Sequence, residues 1–390
     1  MFVFKTIYAT FYVIFLINFR ILIVLSLNCY DFFMIIRYLT NFIFPSQWVE
    51  HVMINVSMSL IGGIQMKFRT LGKTGFKISE VSLGTWQLGG KWGTPFDPKD
   101  ARDTLQEAYD RGVNFFDTAD GYQDGQSEKA VGEFVQKHPD VHYTTKIGRK
   151  EMPLDLKHFD PAHVDRYVDE SLQNMGVDSL DMVLLHCPPM MNYYMPETFF
   201  ELDKLKKAGK IKNYGVSVER VEEGIKALSY DISAVEIIFN MFRLRPANLF
   251  FDLAKKNNVG ILARVPLASG LLTGKYTADT KFAPEDHRTT NRHGEQFDKG
   301  ETFSGVDYLT GVKAANELKQ RLGTDNLAAM ALRFILMYDA VSAVIPGASN
   351  PTQIERNTTA ADLPALTDEQ MQIVRNVYDK YIKNPVDYLW

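Results

Sequence analysis

Only two cysteines occur in the 390 residues, which leaves no basis for a disulfide-built fold. Neither sign of charge dominates, with 43 Lys and Arg against 47 Asp and Glu and a formal charge of -4. A basic nucleic-acid binder and a charge-rich disordered chain are both excluded. The 8 histidines form no HExxH and no close Cys/His cluster, so zinc or iron chemistry has no sequence signal. The segment SLGTWQLGG, Ser82–Gly90, lacks the GxGxxG spacing, which argues against a Rossmann cofactor cradle.

A clean membrane span is also missing, although apolar residues are concentrated at the start. About 43 of the first 65 residues are hydrophobic, far above the share of a globular domain. Within the opening run of residues 1–44 the charges are Lys5, Arg20, Asp31 and Arg37, and the longest uncharged stretches there are 14 and 10 residues, short of the roughly 20 that a span requires. No small-residue cleavage site marks a signal peptide. Three readings stay open for residues 1–65: a membrane anchor or hairpin, translated upstream sequence joined to a domain that starts at Met66, or an extension packed on that domain. None supplies a catalytic group, so function is sought in residues 66–390.

From Met66 the pattern is that of a large α/β domain. FRTLGKTGFKIS, Phe68 to Ser79, sets Gly72 and Gly75 between two short alternating runs and predicts a β-hairpin. Eight apolar strands follow, at Val81–Gly84, Asn114–Asp117, Tyr143–Ile147, Met182–His186, Tyr214–Ser217, Ala234–Phe239, Ile261–Val265 and Ala343–Ile345. Helical patterns lie between them, near 99–111, 126–137, 161–174, 198–208, 218–229 and 247–257. A polar insert over 276–305 precedes two more, near 306–322 and 325–337. Eight strands alternating with helices predict a closed (β/α)₈ TIM barrel with an N-terminal hairpin cap.

A barrel gathers the carboxyl ends of its strands at one mouth, and polar residues stand at those ends: Asp117, Lys146, His186 and Ser217. With Tyr122 they form a set suited to moving a proton. A free phenol, of pKa about 10, is too weak an acid to protonate an alkoxide efficiently at neutral pH. An adjacent ammonium lowers that pKa, and a carboxylate behind the ammonium keeps it charged and placed. Tyr122 then reads as acid/base, Lys146 as its tuner, Asp117 as the group orienting Lys146, and His186 as the donor polarising a carbonyl oxygen. None of these groups accepts two electrons, so a reduction needs an external hydride donor. The loops after the last two strands suit its phosphates. PLASGLLTGK, Pro266–Lys275, offers Ser269 and an ammonium, while IPGASNPTQIERN, Ile345–Asn357, sets Gly347, Ser349 and Asn350 at a helix start.

These segments, in this order, resemble the aldo-keto reductase family. GVNFFDTADGYQDGQSEKAVG, Gly112–Gly132, matches the family's first signature with Asp117 and Tyr122 in catalytic positions; TTKIG carries Lys146 and DMVLLHCP carries His186. The resemblance covers residues 66–382 and implies NAD(P)H bound in extended form without a Rossmann domain. It further implies cofactor contacts from Gly84, Thr85 and Trp86, from Ser217, and from Pro266, Leu267, Ser269, Gly270, Leu271 and Lys275. Gly347, Ser349, Gln353 and Asn357 complete that set. Three positions depart from the family pattern. Val218 replaces the Asn beside Ser217, Glu236 stands where Gln is usual, and Arg264 takes the place of a ring-stacking aromatic, its planar guanidinium being able to lie over nicotinamide. NADP(H) is the first expectation and NAD(H) the second.

Trp86, Trp92, Tyr122, Met190 and Met191 predict a mouth that is largely apolar and suited to aldehydes or ketones of moderate size. Two other readings stay open: a nicotinamide-binding regulatory subunit similar to the β subunits of potassium channels, and a redox-assisted isomerase or dehydratase of sugar-like substrates. A monomer in the cytoplasm, without nucleic-acid partners, is the default. Membrane contact is expected only if residues 1–65 belong to the mature protein.

Overall fold

The structure, a computed structural model, describes residues 66–90, 94–151 and 153–390. The apolar leader and Trp92 lie outside the described residues. A two-stranded hairpin comes first, β1 (Phe68–Thr70) pairing antiparallel with β2 (Lys77–Ser79). Gly72 turns between them at φ +47°, and a Cβ there would stand 2.4 Å from the Gly260 nitrogen. Only glycine lets this turn sit so close to the barrel floor.

Eight parallel strands then succeed one another: β3 (Leu83–Gly84), β4 (Phe115–Asp117), β5 (His142–Ile147), β6 (Leu180–His186), β7 (Ile211–Val218), β8 (Ala234–Ile238), β9 (Gly260–Arg264) and β10 (Val341–Val344). Each pairs with its sequence neighbours. The ring closes through bridges Val81 to Val344 and Gly84 to Gly347, with Ser82 N donating to Val344 O at 2.9 Å and Gly84 N to Pro346 O at 3.0 Å. The predicted (β/α)₈ barrel with its hairpin cap is the observed architecture. Among the described residues, no helix is long and apolar enough to cross a membrane.

The strands are buried on both faces, and the period of two divides their side chains. Val183 and Leu185 of β6 pack outward into the core beneath the helices, whereas Met182 and Leu184 point inward. The inward set, with Phe115, Ala234, Leu262 and Ala343 from other strands, meets Leu71 and Ile78 of the hairpin region. One end of the barrel is therefore plugged by apolar side chains. On β4 to β9 the last inward position falls at the opposite end, whereas on β10 the residue two beyond Ala343 is Ile345, still part of the apolar set. The last inward positions on β4 to β9 are Asp117, Lys146, His186, Ser217, Glu236 and Arg264, so the alternation that plugs one end fills the other with polar groups.

The outer helices follow the predicted pattern, for instance Pro161–Met175, which Asp160 caps by accepting from His163 N at 2.9 Å. The polar insert is structured too. It carries a short helix at His287–Thr290 and two 3₁₀ turns, Lys299–Glu301 and Phe303–Gly305. Trp390 holds the second of these turns in place. A Cβ on Gly305 would meet its ring at 2.5 Å, and Arg243 lies over that ring with its guanidinium 4.1 Å from the centroid.

Candidate active site

At the polar end of the barrel, Lys146 is fully buried and its Nζ donates to Asp117 Oδ1 at 2.6 Å, to Thr118 O at 3.2 Å and to Tyr122 OH at 3.2 Å. A second carboxylate, Glu236 Oε2, lies 3.5 Å from the same nitrogen. Tyr122 reaches this point from the loop after β4, where Gln123 and Asp124 take positive φ of 52°. Its ring is 6.0 Å from that of His186, edge on. The four catalytic candidates thus converge although they span residues 117–186.

The electrostatics differ from the sequence expectation in one respect. Burial pushes the Tyr122 phenol above its ordinary value; Lys146 pulls it down, but Asp117 and Glu236 push it up again. The net direction is upward, not downward, because burial of the phenol is the largest effect and two carboxylates, instead of the one expected, also oppose the ammonium. Tyr122 is held as the neutral phenol, a proton donor. Burial works against the charge on Lys146, yet Asp117 and Glu236 more than offset it and hold the ammonium. Burial, then the charges of Arg149 and Lys146, drive His186 well below the usual imidazole range, so it is neutral. Burial and the neighbouring Glu236 push Asp117 up, against the pull of Lys146.

A cavity of about 600 Å³ opens above this cluster. Asp117, Tyr122, His186, Gly84, Trp86, Glu236, Arg264, Pro266, Leu267, Ser269, Gly270, Lys275, Gly347, Gln353 and Asn357 all line it. Lys146 stands behind the wall. Four other expected contacts are not on the lining surface. Thr85 donates its hydroxyl to Asp117 O at 2.8 Å and accepts from Ser127 at 2.7 Å. Ser217 turns to Glu236 Oε1 at 3.4 Å. Leu271 is buried, packing against Gly311, and Ser349 is tied through its backbone nitrogen to Gln353 Oε1 at 2.8 Å.

The residues on this surface suit a dinucleotide. Ala268, Ser269 and Gly270 take positive φ of 47°, 52° and 96° in succession, with Ala268 N and Gly270 N donating to Val265 O and Leu267 O inside the loop, a tight turn that sets Ser269 and Gly270 on the cavity wall. Gly347 has open space beside it, with nothing but Gly84 O at 3.9 Å from a notional Cβ. Lys275 and Arg356 add cationic groups to the lining.

The two methionines expected at the apolar mouth are not part of the cavity wall. Met191 is 61% exposed and Met190 packs against the core; neither lines the cavity. The apolar wall is Trp86 with Phe297, ring centroids 6.3 Å apart. Facing it is a buried ion network. Arg149 Nη1 is 2.7 Å from Glu301 Oε1, and Arg264 is 3.0 Å from Glu219 and 3.4 Å from Glu301. Arg264 also donates to Val218 O at 3.1 Å. Sequence reasoning passed over Arg149, His287, Gln296, Phe297 and Glu301. Arg149 follows Lys146 by three residues and was open to notice, but the others come from the insert. Cys187, Glu219 and Glu301 lie close enough to suggest a metal site, yet the two guanidiniums already occupy the positions a cation would take.

Residues 80–379 match the model of the aldo/keto reductase family. The chain belongs to that family. Its members are NAD(P)-dependent oxidoreductases acting on carbonyl and alcohol groups, and this protein is one of them. It is 28% identical over 328 residues to aldo-keto reductase YhdN of Bacillus subtilis, covering 82% of this chain and 96% of that one. A probable voltage-gated potassium channel subunit beta from Arabidopsis thaliana is also 28% identical, over 83% of this chain and all of its own. The solved structure of the glycerol dehydrogenase AKR11B4 from Gluconobacter oxydans superposes with a TM-score of 0.67 at 28% identity, covering 82% of this chain and 98% of that one.

Proposed function

We propose that residues 66–390 form the catalytic unit of a reductase in which Tyr122 protonates the oxygen of an aldehyde or ketone. The observation that carries this is the chain of contacts from Asp117 through Lys146 to Tyr122, at 2.6 and 3.2 Å, on the floor of a cavity that His186 also lines. When bound, a reduced nicotinamide supplies the hydride that the protein lacks.

The neutral His186 imidazole donates a hydrogen bond to the carbonyl oxygen and polarises it. Tyr122 gives its proton to the same oxygen as charge develops there. Lys146 then stabilises the phenolate left behind, and Asp117 keeps Lys146 aimed. One carbonyl, one hydride and one proton yield one alcohol. The Trp86 and Phe297 rings limit the water that reaches this point. NADP(H) is the preferred nucleotide, supported by Arg356 and Lys275 on the cavity wall, groups suited to a 2′-phosphate.

The test is steady-state oxidation of NADPH and NADH by the purified chain with a panel of carbonyl compounds. Turnover is expected. Tyr122→Phe should reduce it by at least about 10²-fold while cofactor binding, read by fluorescence quenching, persists. Undiminished turnover in that variant would overturn the assignment. A retained cofactor with no net oxidation would favour a binding subunit, or an isomerase that returns its hydride.

A further inference from the structure

We propose that Asp117 and Glu236 share a single proton, and that this carboxyl pair is the store from which Tyr122 is reprotonated through Lys146 after each reduction; the second half rests on the reductase reading above. The pair arises where the sequence departs from the family pattern, a Glu standing in place of the usual Gln. Asp117 and Glu236 come from β4 and β8, and both are nearly shut off from solvent, at 3% and 2% exposure. One ammonium serves both, with Lys146 Nζ 2.6 Å from Asp117 Oδ1 and 3.5 Å from Glu236 Oε2. Arg264 holds its Nε 3.9 Å from Glu236 Oε1, but its other two nitrogens face Glu219 at 3.0 Å and Glu301 at 3.4 Å. Ser217 donates to Glu236 Oε1 at 3.4 Å. Tyr122 and His186 also face the cluster, and both are neutral.

Two oxygens mark the place of the proton. Asp117 Oδ2 and Glu236 Oε2 are both buried without a hydrogen-bond partner, a costly state for two carboxylates. The two side chains lie within hydrogen-bonding reach of each other, and a bond between carboxyl groups requires that one of them carry a proton. A single proton therefore satisfies both oxygens. It also removes the repulsion of two like charges set against one ammonium, the reason that close carboxyl pairs do not both ionise. Asp117 and Glu236 line the cavity, whereas Lys146 does not, so the pair connects the buried ammonium to solvent. Once Tyr122 has given up its proton, the phenolate takes another from Lys146 at 3.2 Å. The O–H bond of the pair then breaks, and its proton restores the ammonium. Left as two carboxylates, the pair takes a proton from solvent at the cavity wall. No electrons move in these steps.

Infrared spectroscopy of the full-length protein tests the sharing without any turnover. At about pH 8 ordinary carboxyls, of pKa about 4, are ionised, and the carbonyl stretch of a protonated carboxyl stands apart from that of carboxylates. Glu236→Gln should lose one such band although Asp117 remains, and Asp117→Asn should lose the same band although Glu236 remains. A band retained in either variant overturns the sharing and places the proton on another buried carboxyl. Kinetics test the store. With saturating NADPH and a readily reduced aldehyde, kcat of Glu236→Gln relative to native should fall about tenfold or more between about pH 6 and about pH 9, because the variant must draw each proton from solvent that holds ever fewer. A ratio constant over that range overturns the store. Thermal midpoints verify folding, and where one variant fails to fold, the infrared band of the other decides. No carbonyl turnover by the native protein, with the band lost in both variants, overturns the reductase reading and the store with it, and leaves the sharing standing.

Discussion

The same strands build the two ends of the barrel, and the inward positions of the two ends lie two residues apart. On β4 the inward residues are Phe115 and then Asp117; on β6, Leu184 and then His186; on β8, Ala234 and then Glu236; on β9, Leu262 and then Arg264. The first of each pair joins the apolar plug under the hairpin, and the second joins the buried polar groups lining the cavity. Hydrophobic burial stabilises the plugged end. The charged end gains little by comparison, because the desolvation of each ion offsets most of its pairing. Stability and chemistry are thus assigned to opposite ends of one sheet, and substitutions at the two ends should fail in different ways.

The largest effect is expected at the charged end. Lys146→Met removes the ammonium between Asp117 and Tyr122, and kcat for carbonyl reduction should fall by about 10²–10⁴. A loss under tenfold would mean that Tyr122 works without its partner. At the plugged end, Leu184→Ala deletes a fully buried side chain and should cost about 2–5 kcal/mol in urea unfolding, without a comparable loss of turnover. If Leu184→Ala instead abolished turnover while leaving stability intact, the division between the ends would be wrong. Gly72→Ala tests how the plug is seated. At φ +47°, with backbone atoms of Gly260 and Ser233 at 2.4 and 2.5 Å from the new Cβ, it should destabilise by about 1–3 kcal/mol, and retention of native stability would show that the hairpin can lift off.

The division was legible in the sequence wherever it followed from the period of two. FFD, TTK, LLH, AVE and LAR each end on an inward polar residue at the mouth, which made Asp117, Lys146 and His186 legible from the period of two, while Tyr122, on the loop after β4, and the departures at Glu236 and Arg264 were legible from the family pattern. The hairpin was legible from Gly72 and Gly75. Side chains that complete the cavity from elsewhere were not. Glu301 is 152 residues from Arg149, on an insert whose polarity read as loop, and only its folding onto the mouth brings it there. Thr85 and Ser217 fall at strand ends as expected, but neighbouring hydrogen bonds turn their hydroxyls away. The two methionines expected at the mouth are missing from it for a related reason: Met190 and Met191 follow His186 in sequence, yet the 3₁₀ turn Met190–Tyr194 carries them off the cavity wall.

The smallest expected effect is a pH dependence confined to the charged end. Asp120 sits between Asp117 and Tyr122 in sequence; its Oδ2 accepts from Gly148 N at 3.0 Å, while Oδ1 is buried with no hydrogen-bond partner. Burial raises its pKa from 3.8 to about 7, partly opposed by the Gly148 N–H, with Glu128 adding to the rise and Lys150 opposing it. The folded protein therefore keeps a proton that the unfolded chain has already released between these two values. Its contribution to stability is complete below about 3.8 and is lost as pH rises through about 7. Asp120→Asn keeps an acceptor for Gly148 and carries no titratable proton, so its urea midpoint should fall less than that of the native protein between about pH 5 and about pH 8. The plugged-end variant Leu184→Ala should lower the midpoint at both pH values and leave the native difference between them intact. If Asp120→Asn and the native protein instead respond alike to pH, the carboxyl titrates in the ordinary range, and the buried charge at this end lies in the ion network alone.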